Sequence, residues 1–158
     1  MTDFINSDAL DEIEDELEEF EEETEEEELL DGDLTSTERV ELMAHAASAV
    51  RAEDIIVLDL RELTIIADFF LICTGKSSIQ IRAISNRIEE WMGKRGIKRR
   101  RVEGYQEATW ILMDYGDIIV HIMAAEQREY FRLEEFWSGA KRLAIDLDEE
   151  PLTLNSEE

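Results

Sequence analysis

Apolar positions along this chain follow two periods, and the switches between them mark its elements. Thr35-Ser36-Thr37-Glu38 offers hydroxyl caps ahead of a helix whose stripe is Val40, Met43, Ala47 and Val50, with His45 on the solvent side beside Glu38, Glu41 and Ser48. Ile55 to Leu60 and Ala67 to Thr74 read as strands, and the second is so nearly continuous in apolar residues that it belongs at the centre of a sheet. Gly75-Lys76-Ser77-Ser78 turns the chain into a helix that buries Ile81, Ile84, Ile88 and Trp91, and Gly93 and Gly96 bracket its end. Ile97 to Glu103 reads as a strand. Glu126 to Leu143 reads as one helix rich in aromatics, with Tyr130, Phe131, Phe136 and Trp137. The order is helix, strand, strand, helix, three strands, helix, which predicts a mixed α/β (α+β) domain with a sheet of about five strands and flanking helices.

The most informative segment is Thr109 to Met123, where two apolar runs flank Tyr115-Gly116 and predict a β-hairpin. With those two residues as the loop, Asp114 faces Asp117, Met113 faces Ile118, Leu112 faces Ile119, Ile111 faces Val120 and Trp110 faces His121. Side chains alternate, so Ile111, Met113, Ile118, Val120 and Ile122 share a buried face. The opposite face pairs Trp110 with His121 and sets two carboxylates against each other, which is unfavourable unless a partner's cation or solvent relieves it. An apolar knob with a cation on the partner would suit this face, and a solvated hairpin tip is the plainer reading. Tyr115 is a poor turn residue, and a longer loop would shift the pairings.

Charge changes the picture because it is unevenly placed. Residues 1 to 34 hold 18 Asp or Glu and no Lys or Arg, residues 35 to 145 hold 17 acidic and 16 basic residues, and residues 146 to 158 add six acidic ones. The formal charge of −25 is therefore a property of the two ends: an acidic N-terminal tail over 1–34, expected to be disordered, a nearly neutral domain over 35–145 and an acidic C-terminal tail over 146–158. Leu10, Ile13, Leu17 and Phe20 recur at helical spacing within the first tail. That tail is read as a solubilising segment, as a charge that repels phosphates, or as a ligand of the basic run Lys98-Arg99-Arg100-Arg101. The run itself is read chiefly as a solvated edge that discourages aggregation, with nucleic acid as a further reading. The acidic balance disfavours nonspecific contact with nucleic acid or anionic lipid. With 44% hydrophobic residues a core is expected, and with no long apolar run and no signal-like N-terminus the expected location is cytoplasmic. Cys73, the only cysteine, is expected to be a buried inert thiol.

Enzyme motifs fare poorly. Thr74-Gly75-Lys76-Ser77 resembles the end of a phosphate-binding loop, but the glycine needed five positions earlier is Phe70. A strand-to-helix turn can still hold an anion through its amides. Two histidines on different elements, one cysteine and no Asp-x-Asp on a core strand give no metal ligand set, so no metal and no cofactor are expected. His121 has no visible nucleophile partnered with an orienting acid, which leaves no catalytic triad to assign.

Three ordered blocks carry a resemblance. The first is Asp59, Ala67-Asp68-Phe69-Phe70, Cys73-Thr74-Gly75 and Ser77-Ser78; the second is Trp110 through Asp114, Gly116-Asp117 and Val120-His121; the third is Arg128, Tyr130, Leu133-Glu134 and Trp137. Together they resemble the ribosomal silencing factor family, RsfS or Iojap, over residues 36 to 143, with both acidic tails outside the pattern. The resemblance implies a nucleotidyltransferase-like topology without the catalytic carboxylates, and no enzymatic activity. It implies binding to the large ribosomal subunit through ribosomal protein fourteen of that subunit, steric exclusion of the small subunit and repression of translation when nutrients are short. The residues it marks for partner binding are Trp110, Asp114, Gly116, Asp117 and His121, with Tyr130 and Trp137 near in sequence. Direct nucleic-acid contact is expected to be minor and no membrane is involved, while the oligomeric state, a homodimer included, is left open. The competing reading is a nucleotidyltransferase-like enzyme that uses the Gly75 turn for phosphate and Asp114 with Asp117 for magnesium.

Overall fold

The computed structural model describes residues 34–149. The expectations for the N-terminal tail, its spaced apolar residues included, and for residues 150–158 lie outside the described residues. Helix α1 (Ser36–Ala49) begins where the hydroxyl caps predict. The Thr35 hydroxyl accepts the Glu38 amide at 3.1 Å while the Glu38 carboxylate accepts the Thr35 amide at 3.0 Å, a reciprocal capping box. The buried face is wider than one stripe, taking in Val40, Leu42, Met43, Ala44, Ala46 and Ala47, and His45 is half-buried. Small alanines let α1 lie close to its neighbours.

Six strands follow: β1 (Glu53–Asp59), β2 (Phe69–Gly75), β3 (Arg101–Glu103), β4 (Trp110–Asp114), β5 (Ile118–Ala124) and β6 (Lys141–Arg142), in the order β3-β4-β5-β2-β1-β6. Strand β2 is buried along its whole length, antiparallel to β1 and parallel to β5, which is the central place its apolar run predicts. Helix α2 (Ser78–Lys94) lies with α1 on one sheet face, where Phe69, Leu71, Cys73, Ile111, Met113, Val120 and Ile122 meet Ile81, Ile84 and Ile88 in the main core. A smaller cluster of Leu58, Leu60, Ala67, Phe70, Ile72 and Met123 occupies the other face.

Three boundaries differ from the sequence reading. The strand expected from Ile97 begins only at Arg101, because the Ile97 amide closes the end of α2 on the Met92 carbonyl at 2.9 Å. The single helix expected from Glu126 to Leu143 is two short helices, α3 (Ala125–Phe131) and α4 (Leu133–Phe136), followed by β6 on the free edge of β1. Arg132, left-handed at φ 48°, makes the break, and no glycine or proline in the sequence announces it. Leu147, past the expected domain boundary at 145, packs against the main core with Leu143 and Ile145.

The hairpin forms, with a two-residue offset in its register. Trp110 lies opposite Met123, Ile111 opposite Ile122, Leu112 opposite His121, Met113 opposite Val120 and Asp114 opposite Ile119. The loop is Gly116-Asp117, closed by the Tyr115 amide on the Ile118 carbonyl at 2.9 Å. Gly116 supplies the positive φ of 93° that the turn needs, which frees Tyr115 to stay in the core. An offset of two preserves the parity of the strands, so the expected buried face is the observed one.

The expected opposition of Asp114 and Asp117 does not occur. Asp114 accepts the Gly116 amide at 2.8 Å and lies 3.6 Å from Arg101. Asp117 accepts Arg39 at 2.5 Å and the Ser36 hydroxyl at 2.8 Å, which ties the start of α1 to the hairpin turn, while its carbonyl accepts the amides of Asp68 and Phe69. Both carboxylates are therefore spent on donors within the fold, and the mutual repulsion expected of them does not arise. Asp117→Asn should lower stability by about 1 kcal/mol, after allowance for solvent screening of a pair about a quarter exposed, or a few degrees in melting temperature. An unchanged or raised melting temperature by calorimetry would show that the clamp contributes nothing.

Candidate protein-docking face

The second sheet face is where the aromatic residues gather. Strands β4 and β5 send Trp110, Leu112, Ile119, His121 and Met123 to it, and β2, on the other side of β5 from β4, adds Phe70. His121 is diagonal to Trp110, and the indole Nε1–H donates to its Nδ1 at 3.1 Å. The neutral imidazole therefore carries its proton on Nε2, which is buried and has no hydrogen-bond partner. Rings continue outward from this pair. Phe70 meets His121 edge-on at 4.6 Å and Trp137 at 5.8 Å, Phe131 lies 4.7 Å from Trp110, Tyr130 lies 5.0 Å from Phe131, and Phe136 lies 5.3 Å from Trp137.

What holds these rings in place is the break at Arg132. Arg128 bonds Glu134 at 2.5 Å and the Thr74 hydroxyl at 2.9 Å, so one guanidinium joins α3, α4 and β2. Burial pushes the Glu134 carboxyl up, but its own backbone amide and Arg128 outweigh this and hold it below its ordinary value. The two short helices cover the sheet only in part. Tyr130 is 80% exposed and Phe136 77%, with Phe131 about half exposed. The loop between β1 and β2 brings Leu63 beside Gly139, and Ile65 and Ile66 in the same loop are exposed. Exposed apolar area of this kind, rimmed by charge, marks a protein interaction site more often than a catalytic one.

The expected site residues thus fall into two groups. Trp110, His121, Tyr130 and Trp137 come together through Phe70 and Phe131, which the sequence reading did not assign to the site. Asp114, Gly116 and Asp117 sit at the hairpin turn, at the far end of β4 from Trp110, with their polar atoms engaged within the domain. Phe136, Ile65 and Ile66 were also missed. They fall in short stretches with no clear period, where spacing does not separate exposed from buried apolar positions.

The enzymatic alternative finds little to use. Ser77 caps α2 by accepting the Gln80 amide, the Lys76 amide donates to the Gln80 side chain at 2.6 Å, and Ile81 packs against Gly75 so closely that a Cβ there would lie 2.6 Å from it. The turn is a packed strand-to-helix junction whose amides are partly consumed. A cleft of about 690 Å³ beside β1 and α3 is lined by both signs of charge, and Arg128 within it is committed to Thr74 and Glu134. Among the described residues no three His, Cys, Asp or Glu side chains come together as metal ligands, and no helix is long and apolar enough to cross a membrane. Burial pushes the Cys73 thiol up to about 12, so it is not a nucleophile at neutral pH.

Comparison with known proteins gives the family. The family described as ribosomal silencing factor during starvation matches residues 33–158, beyond the 36 to 143 of the three blocks and through the C-terminal segment. This chain belongs to the ribosomal silencing factor family. It is 34% identical over 113 residues to the ribosomal silencing factor RsfS of Halalkalibacterium halodurans, covering 72% of this chain and 97% of that one. It is 38% identical to RsfS of Bacillus subtilis over 68% of this chain and 91% of the relative. The chloroplastic protein Iojap of Zea mays is 36% identical over 67% of this chain and 46% of its own length. Crystal structures of proteins from Chromobacterium violaceum and Bacillus halodurans superpose with TM-scores of 0.65 and 0.62, at 27% and 33% identity, covering 75% and 70% of this chain and 97% and 100% of theirs. The mixed α/β class expected from the sequence is the observed one.

Burial pushes His121 down to about 4 from an ordinary 6.5. Above 6.5 the ring is neutral in folded and unfolded chains alike. As pH falls from 6.5 towards 4, the unfolded chain binds a proton that the folded one refuses, and stability drops by roughly 1.4 kcal/mol per pH unit, to about 3 kcal/mol in all. The difference in unfolding free energy between the parent and His121→Phe, measured by denaturant titration at several pH values, should follow that slope. A difference independent of pH would show that His121 is not neutral and enclosed.

Proposed function

We propose that this domain binds the large ribosomal subunit through ribosomal protein fourteen of that subunit, and that the bound domain keeps the small subunit from joining, so that translation is repressed under nutrient limitation. The observation that carries the reading is the aromatic face: a continuous set of rings from Trp110 through buried His121 and Phe70 to Trp137 and Phe136, with Tyr130, Phe131 and Phe136 exposed at its edge, in a chain that belongs to the ribosomal silencing factors. Such a surface supplies rigid apolar anchors and a hydrogen-bonding rim, which is what a protein interface needs. The same reading makes the domain a non-enzymatic block, since its two turn carboxylates are spent on Arg39, Ser36 and the Gly116 amide. It also places direct nucleic-acid contact second to contact with protein, and puts the protein where ribosomes are, in the cytoplasm. Sucrose-gradient centrifugation of mixed subunits tests it. Saturating protein should shift complete ribosomes towards free subunits, and unchanged reassociation would refute the block.

The face itself is tested by its rings. Tyr130 and Phe136 are largely exposed, so Tyr130→Ala and Phe136→Ala should each weaken large-subunit binding by about tenfold, about 1.4 kcal/mol, with little change in melting temperature. Trp110→Ala should weaken binding by about thirtyfold and also lower stability, since it leaves His121 Nδ1 without its donor. If all three variants bind as the parent does, the interface lies elsewhere.

A further inference from the structure

The most concentrated positive charge among the described residues is not on the aromatic face. Residues 94–101 read Lys-Arg-Gly-Ile-Lys-Arg-Arg-Arg, six basic residues of eight in a domain of net charge near zero. Local carboxylates answer part of it: Glu89 lies 3.2 Å from Arg99, and Arg101 lies 3.5 Å from Glu103 and 3.6 Å from Asp114. Arg100 is exposed and makes no ion pair with a described residue. Its guanidinium packs over Gly116, close enough that a Cβ there would lie 3.0 Å from its Cζ, while its amide donates to the Asp114 carbonyl at 2.7 Å.

The hairpin turn under this patch is also where the chain enters the domain. Ser36 bonds Asp117, the neighbour of Gly116, at 2.8 Å, and Arg39 clamps the same carboxylate. The residues that immediately precede this anchor are strongly acidic, for nine of residues 21–33 are Asp or Glu and none is basic. From Thr24 to the anchor at Ser36 the chain can reach at most about 40 Å. Tethering at that distance gives an effective concentration on the order of millimolar, so a few charge pairs suffice for occupancy.

We propose that residues 21–33 dock on the basic patch formed by Arg99, Arg100 and Arg101 beside the hairpin turn, and so screen it from other polyanions. The occupant is this chain's own acidic segment, chosen by opposite charge and by the place at which it joins the fold. Free RNA phosphate would compete for the same guanidinium groups, and the docked segment raises the bar such a ligand must clear.

Paramagnetic relaxation in the full-length protein tests this. A nitroxide at Thr24→Cys labels the segment alone, because native Cys73 is fully buried. Amide signals of residues 99–103 and 115–117 should lose more than about half their intensity at an ionic strength of about 0.02 M and recover at about 0.5 M, where charges are screened within a few ångströms. The loss should disappear in the triple variant Arg99→Gln, Arg100→Gln, Arg101→Gln. It should also disappear when Glu25, Glu26, Glu27 and Glu28 are changed together to Gln, a variant that touches no contact of the described fold. With that second variant, affinity for heparin should rise about tenfold at low salt, as expected when a site nine-tenths occupied is freed. Absent broadening at low salt, broadening that survives both sets of substitutions, or broadening centred on Ile65, Ile66 and Phe136 would overturn the proposal.

Discussion

The structure depends on one strand that must be covered on both sides. All seven residues of β2 are buried, and its alternation sends Phe69, Leu71 and Cys73 towards α1 and α2 but Phe70 and Ile72 towards the opposite face. Two long helices seal the first face. The second has only α3, α4 and the loop before β2, held by Arg128 across the break at Arg132. That short cover is enough to bury Phe70 and His121 and not enough to bury Tyr130, Phe131 or Phe136. The unequal covers make the second face the place where a partner would recover apolar burial on binding.

The two polar settings on this framework follow different physics. His121 is kept neutral because its cavity is apolar and its Nδ1 already holds the Trp110 proton donor, which leaves the Nε2–H as a buried donor with nothing to satisfy it. The hairpin turn instead spends its carboxylates on nearby donors, so Asp117 fastens α1 and the loop before β2 to one point. The first setting favours a dry aromatic contact. The second holds the far end of the same hairpin against α1.

What the sequence could show was whatever local spacing controls. The capping residues of α1, the central place of β2 and the buried face of the hairpin all follow from residue type and period, and all are present. The register read from local spacing is two residues off because Tyr115-Gly116 looks like the turn, whereas the turn is Gly116-Asp117 and Tyr115 fills the core. Parity rescued the faces but not the pairs, so the Trp110 and His121 contact survives as a diagonal and the Asp114 and Asp117 contact vanishes. The break at Arg132 was illegible because tertiary contacts from Arg128, not a local breaker, stabilise it. Phe70 and Phe131 joined the site for the same reason, since only folding brings β2, β4 and α3 together.

The central claim is that the aromatic face is the surface presented to the large subunit, and it is tested most directly by hydroxyl-radical footprinting of the protein free and bound to saturating large subunits. The account predicts strong protection of Tyr130, Phe131 and Phe136, while oxidisable side chains on the helices of the opposite sheet face, such as His45 on α1 and Ile79 on α2, keep their free reactivity. Protection of the α1 and α2 residues with the aromatic rings still reactive would contradict it.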